Sequence, residues 1–232
     1  MSARRAYTAE LLGTALLVAT VVGSGIMAQR LSPQNPGVAL LANAAATAGM
    51  LYVLILGLGP VSGAHLNPVV TLIEAGFGRL PRARVPGYLA AQVAGALAGV
   101  MLAHAMFGLE VLQHATHVRN TSGELIGEAV ATFGLWLVVA TASHARPAAV
   151  PGAVALYIGA AYWFTSSTSF ANPAVTLARA FTDTFSGIRL VDAPMFVAMQ
   201  AVGGGAAAAL TWWLTISGVH PAPAPSSSSK EP

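Results

Sequence analysis

The chain has 232 residues, of which 8% are Asp, Glu, Lys or Arg and 55% are hydrophobic. Soluble domains carry about 25% charged residues, so this scarcity of charge excludes an ordinary soluble domain and indicates a chain solvated by lipid. The net charge is +3, but the eleven basic residues form no stripe or aromatic-interleaved patch, so no nucleic-acid partner is expected.

Six apolar stretches are predicted to cross the membrane as helices, because each is long enough to span a hydrocarbon core of about 30 Å. In chain order they cover about residues 7–29, 38–58, 84–107, 124–143, 147–166 and 192–216. Prolines occupy the joins, where a missing backbone N–H costs least. We expect residues 1–220 to form a single transmembrane channel domain, with halves at about 6–108 and 122–217, and the Pro/Ser-rich residues 221–232 to be a disordered tail.

The distribution of basic residues predicts the orientation of these spans. Six spans place both termini on one side of the membrane. That side carries Arg4, Arg5, Arg79, Arg82, Arg84, Arg146 and Lys230, whereas Arg30, Arg119, Arg179 and Arg189 lie on the other. The positive-inside rule then predicts a multi-pass protein of the cell (inner) membrane with both termini in the cytoplasm.

Two uncharged or weakly charged stretches, 61–77 and 166–180, are too short or too interrupted to cross the membrane. Each contains one copy of a repeated motif. The copies are Asn67-Pro68-Val69 and Asn172-Pro173-Ala174, both followed by Val-Thr-Leu. Asn is a favoured helix N-cap and Pro fits the first helical position. Each motif therefore predicts a helix of about ten residues, half the membrane thickness, and the two half-helices can meet tip to tip at the midplane.

A second similarity indicates that the chain is a duplication. Glu10 precedes Thr14 by four residues in the first span, and Glu128 precedes Thr132 by the same interval in the fourth. Each half has three spans, an odd number, so the second half is inserted upside down relative to the first. The predicted fold is an all-α membrane protein with six transmembrane helices and two re-entrant half-helices in an inverted repeat.

With these motifs, the chain resembles the aquaporin and glycerol-channel family, the major intrinsic proteins. The resemblance implies a pore through each protomer, a homotetramer in membrane lipid, and passive passage of small neutral solutes such as water and glycerol-like polyols. The segment SSTSFANPAVTLAR is similar to bacterial members associated with arsenic resistance, which implies arsenite-type metalloid hydroxides as further solutes. Val69 departs from the usual Ala of the first motif, a small enlargement that we expect to be tolerated.

The selectivity filter that this resemblance implies is unusual. The family usually has Arg three residues after the second motif's Asn, where this chain has Val175, and the other three filter positions fall on Thr47, Ala160 and Ser169. All four residues are small and uncharged. We therefore expect a wider and less polar constriction than a water-selective one, suited to larger neutral solutes.

Three charged residues near the pore each have two interpretations. Arg179, one turn beyond Val175 at the outer mouth, is hypothesised to replace the missing Arg partly as a cation deterrent; the alternative is a side chain that snorkels to the interface. Glu10 and Glu128 are buried acids that, as the resemblance implies, accept N–H bonds from the half-helix lead-ins; the alternative is a proton relay.

Other functional classes have less support in the sequence. An ion-coupled secondary transporter also uses inverted repeats and broken helices, but it needs titratable or cation-binding groups at the midplane. A non-conducting structural membrane protein is a third class, which a permeability assay separates from a channel. No catalytic constellation, metal-ligand set or cofactor motif is found, and the absence of cysteine excludes thiolate chemistry.

Overall fold

A computed structural model describes residues 2–216, and every regular element among them is helical. The helices are α1 (Ala3–Leu31), α2 (Pro36–Ser62), α3 (Pro68–Gly76), α4 (Val85–Phe107), α5 (Ser122–Ala145), α6 (Val150–Phe164), α7 (Pro173–Arg179) and α8 (Ala193–Ile216). Short 3₁₀ turns, Arg82–Arg84 and Pro147–Ala149, lead into α4 and α6. The tail predicted at 221–232 lies outside the described residues.

Six helices within residues 2–216 are long and apolar enough to cross a membrane, namely α1, α2, α4, α5, α6 and α8. The nine-residue α3 and the seven-residue α7 are too short to do so, and each starts at a motif proline capped by the preceding asparagine. The predicted six spans and two half-helices are confirmed.

One boundary differs from the prediction. α2 was expected to end near residue 58, before Pro60, but it continues through that proline to Ser62. Pro60 lies in the last turn, where it removes a single intrahelical N–H bond. The helix ends instead at Gly63, which has a φ of 89° and donates its N–H to the Gly59 carbonyl at 2.9 Å. This left-handed conformation carries little penalty for glycine.

The two halves are built from equivalent helix pairs. α1 packs against α2 and α4, α5 packs against α6 and α8, and a contact between α2 and α6 joins the halves. The crossings of α1 with α4 and of α5 with α8 depend on matching glycines. A Cβ on Gly95 would clash with the Leu11 carbonyl, and one on Gly203 would clash with the Ala129 carbonyl. Small residues thus allow close helix contact, as membrane packing requires.

The order of spans defines two mouths. α1 begins and α8 ends on the same side, and α3 runs from the midplane back to that side; we call this end of the pore the near mouth. α7 runs from the midplane to the opposite side, which we call the far mouth. Each half-helix therefore contributes the lining of one mouth only.

Candidate functional site

The segments that lead into the two half-helices have unusual backbone conformations at matching positions. Ala64 and Leu66, three and one residues before Asn67, have φ angles of 46° and 50°. Ser169 and Ala171 occupy the same places before the second motif, with φ angles of 52° and 48°. Such left-handed conformations cost about 1 to 2 kcal/mol for a residue with a Cβ, so each lead-in needs external support.

Glu10 supports the first lead-in. Its side chain is fully buried, and its carboxylate accepts hydrogen bonds from the backbone N–H groups of His65 (3.0 Å) and Leu66 (2.7 Å). The Ser62 hydroxyl donates to it at 2.6 Å and the Gln92 amide at 2.8 Å. With four donors, the carboxylate oxygens are saturated, and the polar backbone of the lead-in is satisfied inside the membrane.

Glu128 supports the second lead-in in the same way. This carboxylate is also fully buried, and it accepts the backbone N–H groups of Phe170 (2.8 Å) and Ala171 (2.9 Å) and the Gln200 amide (2.5 Å). Gln200 also donates to Thr176 Oγ1 at 2.8 Å, which ties α8 to α7. Both carboxylates are therefore hydrogen-bonded to the protein and are not exposed to the lumen.

The two motif asparagines meet at the centre of the pore. Asn67 Oδ1 caps α3 by accepting the Val69 N–H at 2.9 Å, and Asn172 Oδ1 caps α7 by accepting the Ala174 N–H at 3.0 Å. The side-chain amides cross: Asn67 donates to the Ala171 carbonyl and Asn172 to the Leu66 carbonyl, both at 2.7 Å. An amide nitrogen has two N–H donors, so one on each asparagine remains for the lumen.

A cavity of about 240 Å³ passes both asparagines and reaches both mouths. His65 and Glu74 line it on the near side. On the far side the lining includes Thr47, Tyr162, Ser169, Phe170, Val175 and Arg179. Apolar side chains from α1, α2, α5 and α6 make up most of the remaining wall. The cavity is therefore lined mostly by apolar side chains, with a few polar groups among them.

The structure brings three of the four predicted filter residues together and corrects the fourth. Thr47, Ser169 and Val175 line the cavity, but Ala160 is exposed on the outside of α6 and does not. Tyr162, two residues later, faces the cavity in its place and donates its hydroxyl to Thr47 Oγ1 at 3.2 Å. Two residues amount to about 200° on a helix, so a small error in the assumed α6–α7 loop length selects the wrong face.

Arg179 lies further inside than a residue at the end of a half-helix would suggest. It is only 2% exposed and lines the cavity, because helical side chains tilt toward the helix N-terminus, here toward the midplane. Its Nε donates to the Ser186 carbonyl, and its guanidinium carbon lies 3.3 Å from the centre of the Phe170 ring. Among residues 2–216, Nε is the Arg179 side-chain nitrogen for which the structure shows a hydrogen bond, and the terminal nitrogens show none.

A second buried arginine, Arg119, lies behind this wall. The residue belongs to the loop between α4 and α5 and is 7% exposed; its guanidinium carbon is 5.1 Å from the same Phe170 ring centre. Burial lowers the pKa of Arg119, with the nearby Glu124 and Glu128 acting in the opposite direction. Neither Arg119 nor Arg179 forms a salt bridge within the described part of the chain.

Sequence reasoning missed Tyr162, Phe170 and Arg119. Placing the filter position two residues later in α6 would have identified Tyr162. Phe170 lies two residues before Asn172, as His65 does before Asn67, so the repeat itself offered a signal for it. Arg119 had no local signal, since an arginine in a loop between spans is usually solvated.

Comparisons with known proteins agree with this geometry. The family model for Major intrinsic protein matches residues 1–168. Aquaglyceroporin AqpS of Rhizobium meliloti (strain 1021) is 53% identical over 210 residues, 90% of each chain. Aquaporin NIP2-1 of Oryza sativa subsp. japonica is 34% identical over 189 residues, which cover 77% of this chain and 61% of that relative.

A solved structure also shares the fold. The X-ray structure of the aquaglyceroporin from Plasmodium falciparum matches with a TM-score of 0.65 at 20% identity, over 90% of this chain and 95% of that one. The chain therefore belongs to the major intrinsic protein family, whose members are channels and not enzymes, and it is a multi-pass membrane protein.

Proposed function

We propose that the protein is a passive channel for water and for small neutral hydroxylated solutes, namely glycerol-like polyols and arsenite-type metalloid hydroxides. The observation that carries this proposal is the pair of crossed asparagines. Each is left with one N–H donor at the centre of a mostly apolar cavity. A hydroxyl oxygen that has shed its water finds two donors there, whereas a cation meets two helix N-termini of about +0.5 charge each.

The far side of the cavity suits a solute with one polar and one apolar face. Thr47, Tyr162 and Ser169 line it and carry hydroxyl groups; the Tyr162 hydroxyl donates to Thr47, and the Ser169 hydroxyl is buried without a partner among residues 2–216. Val175 presents only methyl groups. A polyol can turn its hydroxyls toward the first set and its C–H groups toward the second, so its desolvation is partly compensated. Tyr162 makes this filter bulkier than four small residues would be.

Arg179 supplies the charge that Val175 lacks, and we assign it the role of a cation deterrent at the far mouth. Arg179 lines the cavity, and its terminal N–H groups show no hydrogen-bond partner among residues 2–216. At an effective dielectric constant of about 20, a cation about 6 Å away is repelled by about 3 kcal/mol. Neutral solutes are not repelled, and their oxygens can accept hydrogen bonds from the same group.

The assembly and orientation belong to the same proposal. Because basic residues are more numerous on the side that carries the termini, we place the protein in the cell membrane with both termini in the cytoplasm. The far mouth then opens to the outside of the cell. We further propose a homotetramer in which each protomer keeps its own pore. Exposed apolar side chains on the long helices are available for contact with lipid and with other protomers.

The substitution Val175→Arg tests the filter. An arginine here adds bulk and charge to the far wall, so we expect permeability to glycerol and arsenite to fall at least about tenfold more than permeability to water. Stopped-flow swelling of proteoliposomes measures all three. Val175→Leu is the matched control, which adds volume without charge and is expected to have a much smaller effect on the ratio.

Two outcomes contradict the proposal. An equal effect of Val175→Arg on all three permeabilities would show that residue 175 does not select among them. Saturable uptake that depends on an ion gradient, instead of flux linear in the solute gradient, would favour an ion-coupled transporter.

A further inference from the structure

The loop between α4 and α5, residues 108–121, is built into the far mouth. The Ala115 N–H donates to the Ala180 carbonyl at 3.1 Å, and the Arg189 N–H donates to the His117 carbonyl at 2.9 Å. These bonds lay the loop along the segment that follows α7. A substitution in this loop can therefore affect the pore wall without lining it.

Arg119 ties this loop to the second lead-in. Its Nε donates to the Gly187 carbonyl at 2.9 Å, its NH1 lies 3.4 Å from the Ser167 carbonyl, and its backbone N–H donates to Asp192 at 3.0 Å. Planar guanidinium groups present several donors in a fixed fork, so these bonds define the orientation of the side chain. Arg119 does not itself line the cavity.

The Phe170 ring contacts both Arg119 and Arg179. Guanidinium carbons of Arg119 and Arg179 lie 5.1 Å and 3.3 Å from its centre, and Phe196 packs edge-on at 5.2 Å. The backbone of Phe170 is fixed by its hydrogen bond to Glu128. The ring is thus confined by groups on several elements, and one of its neighbours is the arginine that lines the cavity.

We propose that Arg119 is a positioning residue for the channel: it holds Phe170 against Arg179 and so keeps the Arg179 guanidinium at the wall, out of the solute path. This inference rests on the role of Arg179 proposed above. When the ring is no longer held, the Arg179 guanidinium loses its aromatic contact. The Ser186 carbonyl then still holds Nε, but the terminal N–H groups turn toward the lumen, where they obstruct glycerol more than the smaller water molecule.

The test compares ratios of permeability, because a ratio does not depend on how many channels fold. We expect Arg119→Gln to lower the glycerol-to-water ratio of full-length protein in proteoliposomes by about threefold. Arg119→Lys, which keeps the charge but not the fork of donors, should do the same. Arg30→Gln is the matched control: Arg30 lies 5.1 Å from the ring centre of Phe107 but away from the cavity, so the ratio should not change.

A double variant shows whether Arg119 acts by positioning Arg179 or affects the permeability ratio independently of Arg179. In the Arg179→Ala background no guanidinium remains to move, so adding Arg119→Gln should leave the ratio unchanged. Phe170→Leu keeps Arg119 but removes the ring, and it should reproduce the threefold fall. It also serves as the test if Arg119→Gln does not fold.

Several results would overturn the inference. Arg119→Gln could lower water and glycerol permeability in equal proportion, Arg119→Lys could match the unchanged protein, or the double variant could show additive effects. The first result indicates a purely architectural role and the second a role of the charge alone. If Arg179→Ala alters cation leak but Arg119→Gln leaves the ratio unchanged, only this inference fails. If Arg179→Ala has no effect on leak, the proposed role of Arg179 fails as well.

Discussion

The near and far halves of the pore share their supporting framework and differ in the residues at their mouths. In each half a buried glutamate, a glutamine and a threonine hold the lead-in to a capped half-helix. The positions that face the mouths are not matched in this way. His65 and Glu74 line the near mouth, whereas their counterparts in the far half are Phe170 and Arg179.

The residues that contact these mouth residues are also partly shared and partly different between the two halves. His65 packs on Tyr88 with ring centres 5.1 Å apart, and Phe170 packs on Phe196 at 5.2 Å, so a ring–ring contact is retained while the residue that faces the pore changes from histidine to phenylalanine. Glu74 is paired with Arg79 at 3.2 Å. Arg179 has no such partner in the described part of the chain. Duplication therefore preserved the groups that hold the re-entrant loops, whereas the residues at the two mouths diverged, and it is to this divergence that we attribute the proposed selectivity.

Replacing the buried acids tests the shared framework and should have the largest effect. Glu10→Leu leaves two backbone N–H groups of the lead-in without acceptors, and Glu128→Leu does the same in the other half. At about 1 to 3 kcal/mol for each of the two unsatisfied groups, we expect losses of about 2 to 6 kcal/mol in either variant. Thermal unfolding in detergent, followed by size-exclusion chromatography, measures this, with the exposed Glu110→Gln as control.

The two halves should respond alike if the framework is equivalent. A severe defect in Glu10→Leu beside a mild one in Glu128→Leu would contradict the equivalence. Full stability with altered proton conduction would instead favour the proton-relay interpretation of these acids.

Removing the charged residue at each mouth tests whether the two mouths differ in their electrostatics, and it should have an intermediate effect. Arg179→Ala removes the arginine charge from the far wall and with it about 3 kcal/mol of repulsion, so we expect cation leak through proteoliposomes to rise about a hundredfold. Glu74→Ala removes an acid from the near wall and should leave the leak unchanged or lower it. Dye-reported sodium or potassium flux measures both variants, and an equal rise in the two would mean that the mouths are not electrostatically distinct.

Much of this framework was predictable from the sequence, because its signals are local and repeated. Charge-free windows indicate the spans, and an Asn-Pro pair specifies a helix start wherever it occurs. Two copies in inverted halves then predict the half-helices α3 and α7, which the structure confirms. Even so, Pro60 was read as a terminator, although a proline in a last turn need not end a helix.

The far mouth was less predictable, because its groups come from separate parts of the chain. Ala160 was selected by counting back across a loop of unknown length, and an error of two residues moved the prediction from Tyr162 to the opposite face. The place of Arg119 depends on the path of a loop that returns to α7, which no spacing rule encodes. Arg179 was identified from its helical register, but its contact with Phe170 was not foreseen.

The smallest effect concerns Val69, where the near motif departs from the far one. Its side chain packs directly against Gly204 of α8, so a Cβ at that glycine would clash with the Val69 methyl group. We expect Gly204→Ala to cost about 1 to 3 kcal/mol in thermal stability through overpacking, and Val69→Ala to restore part of that loss in the double variant. Gly205→Ala is the matched control, because nothing lies within 4 Å of a Cβ there. Strictly additive effects would show that Val69 and Gly204 are not coupled, and the larger motif residue would then have no matching space in α8.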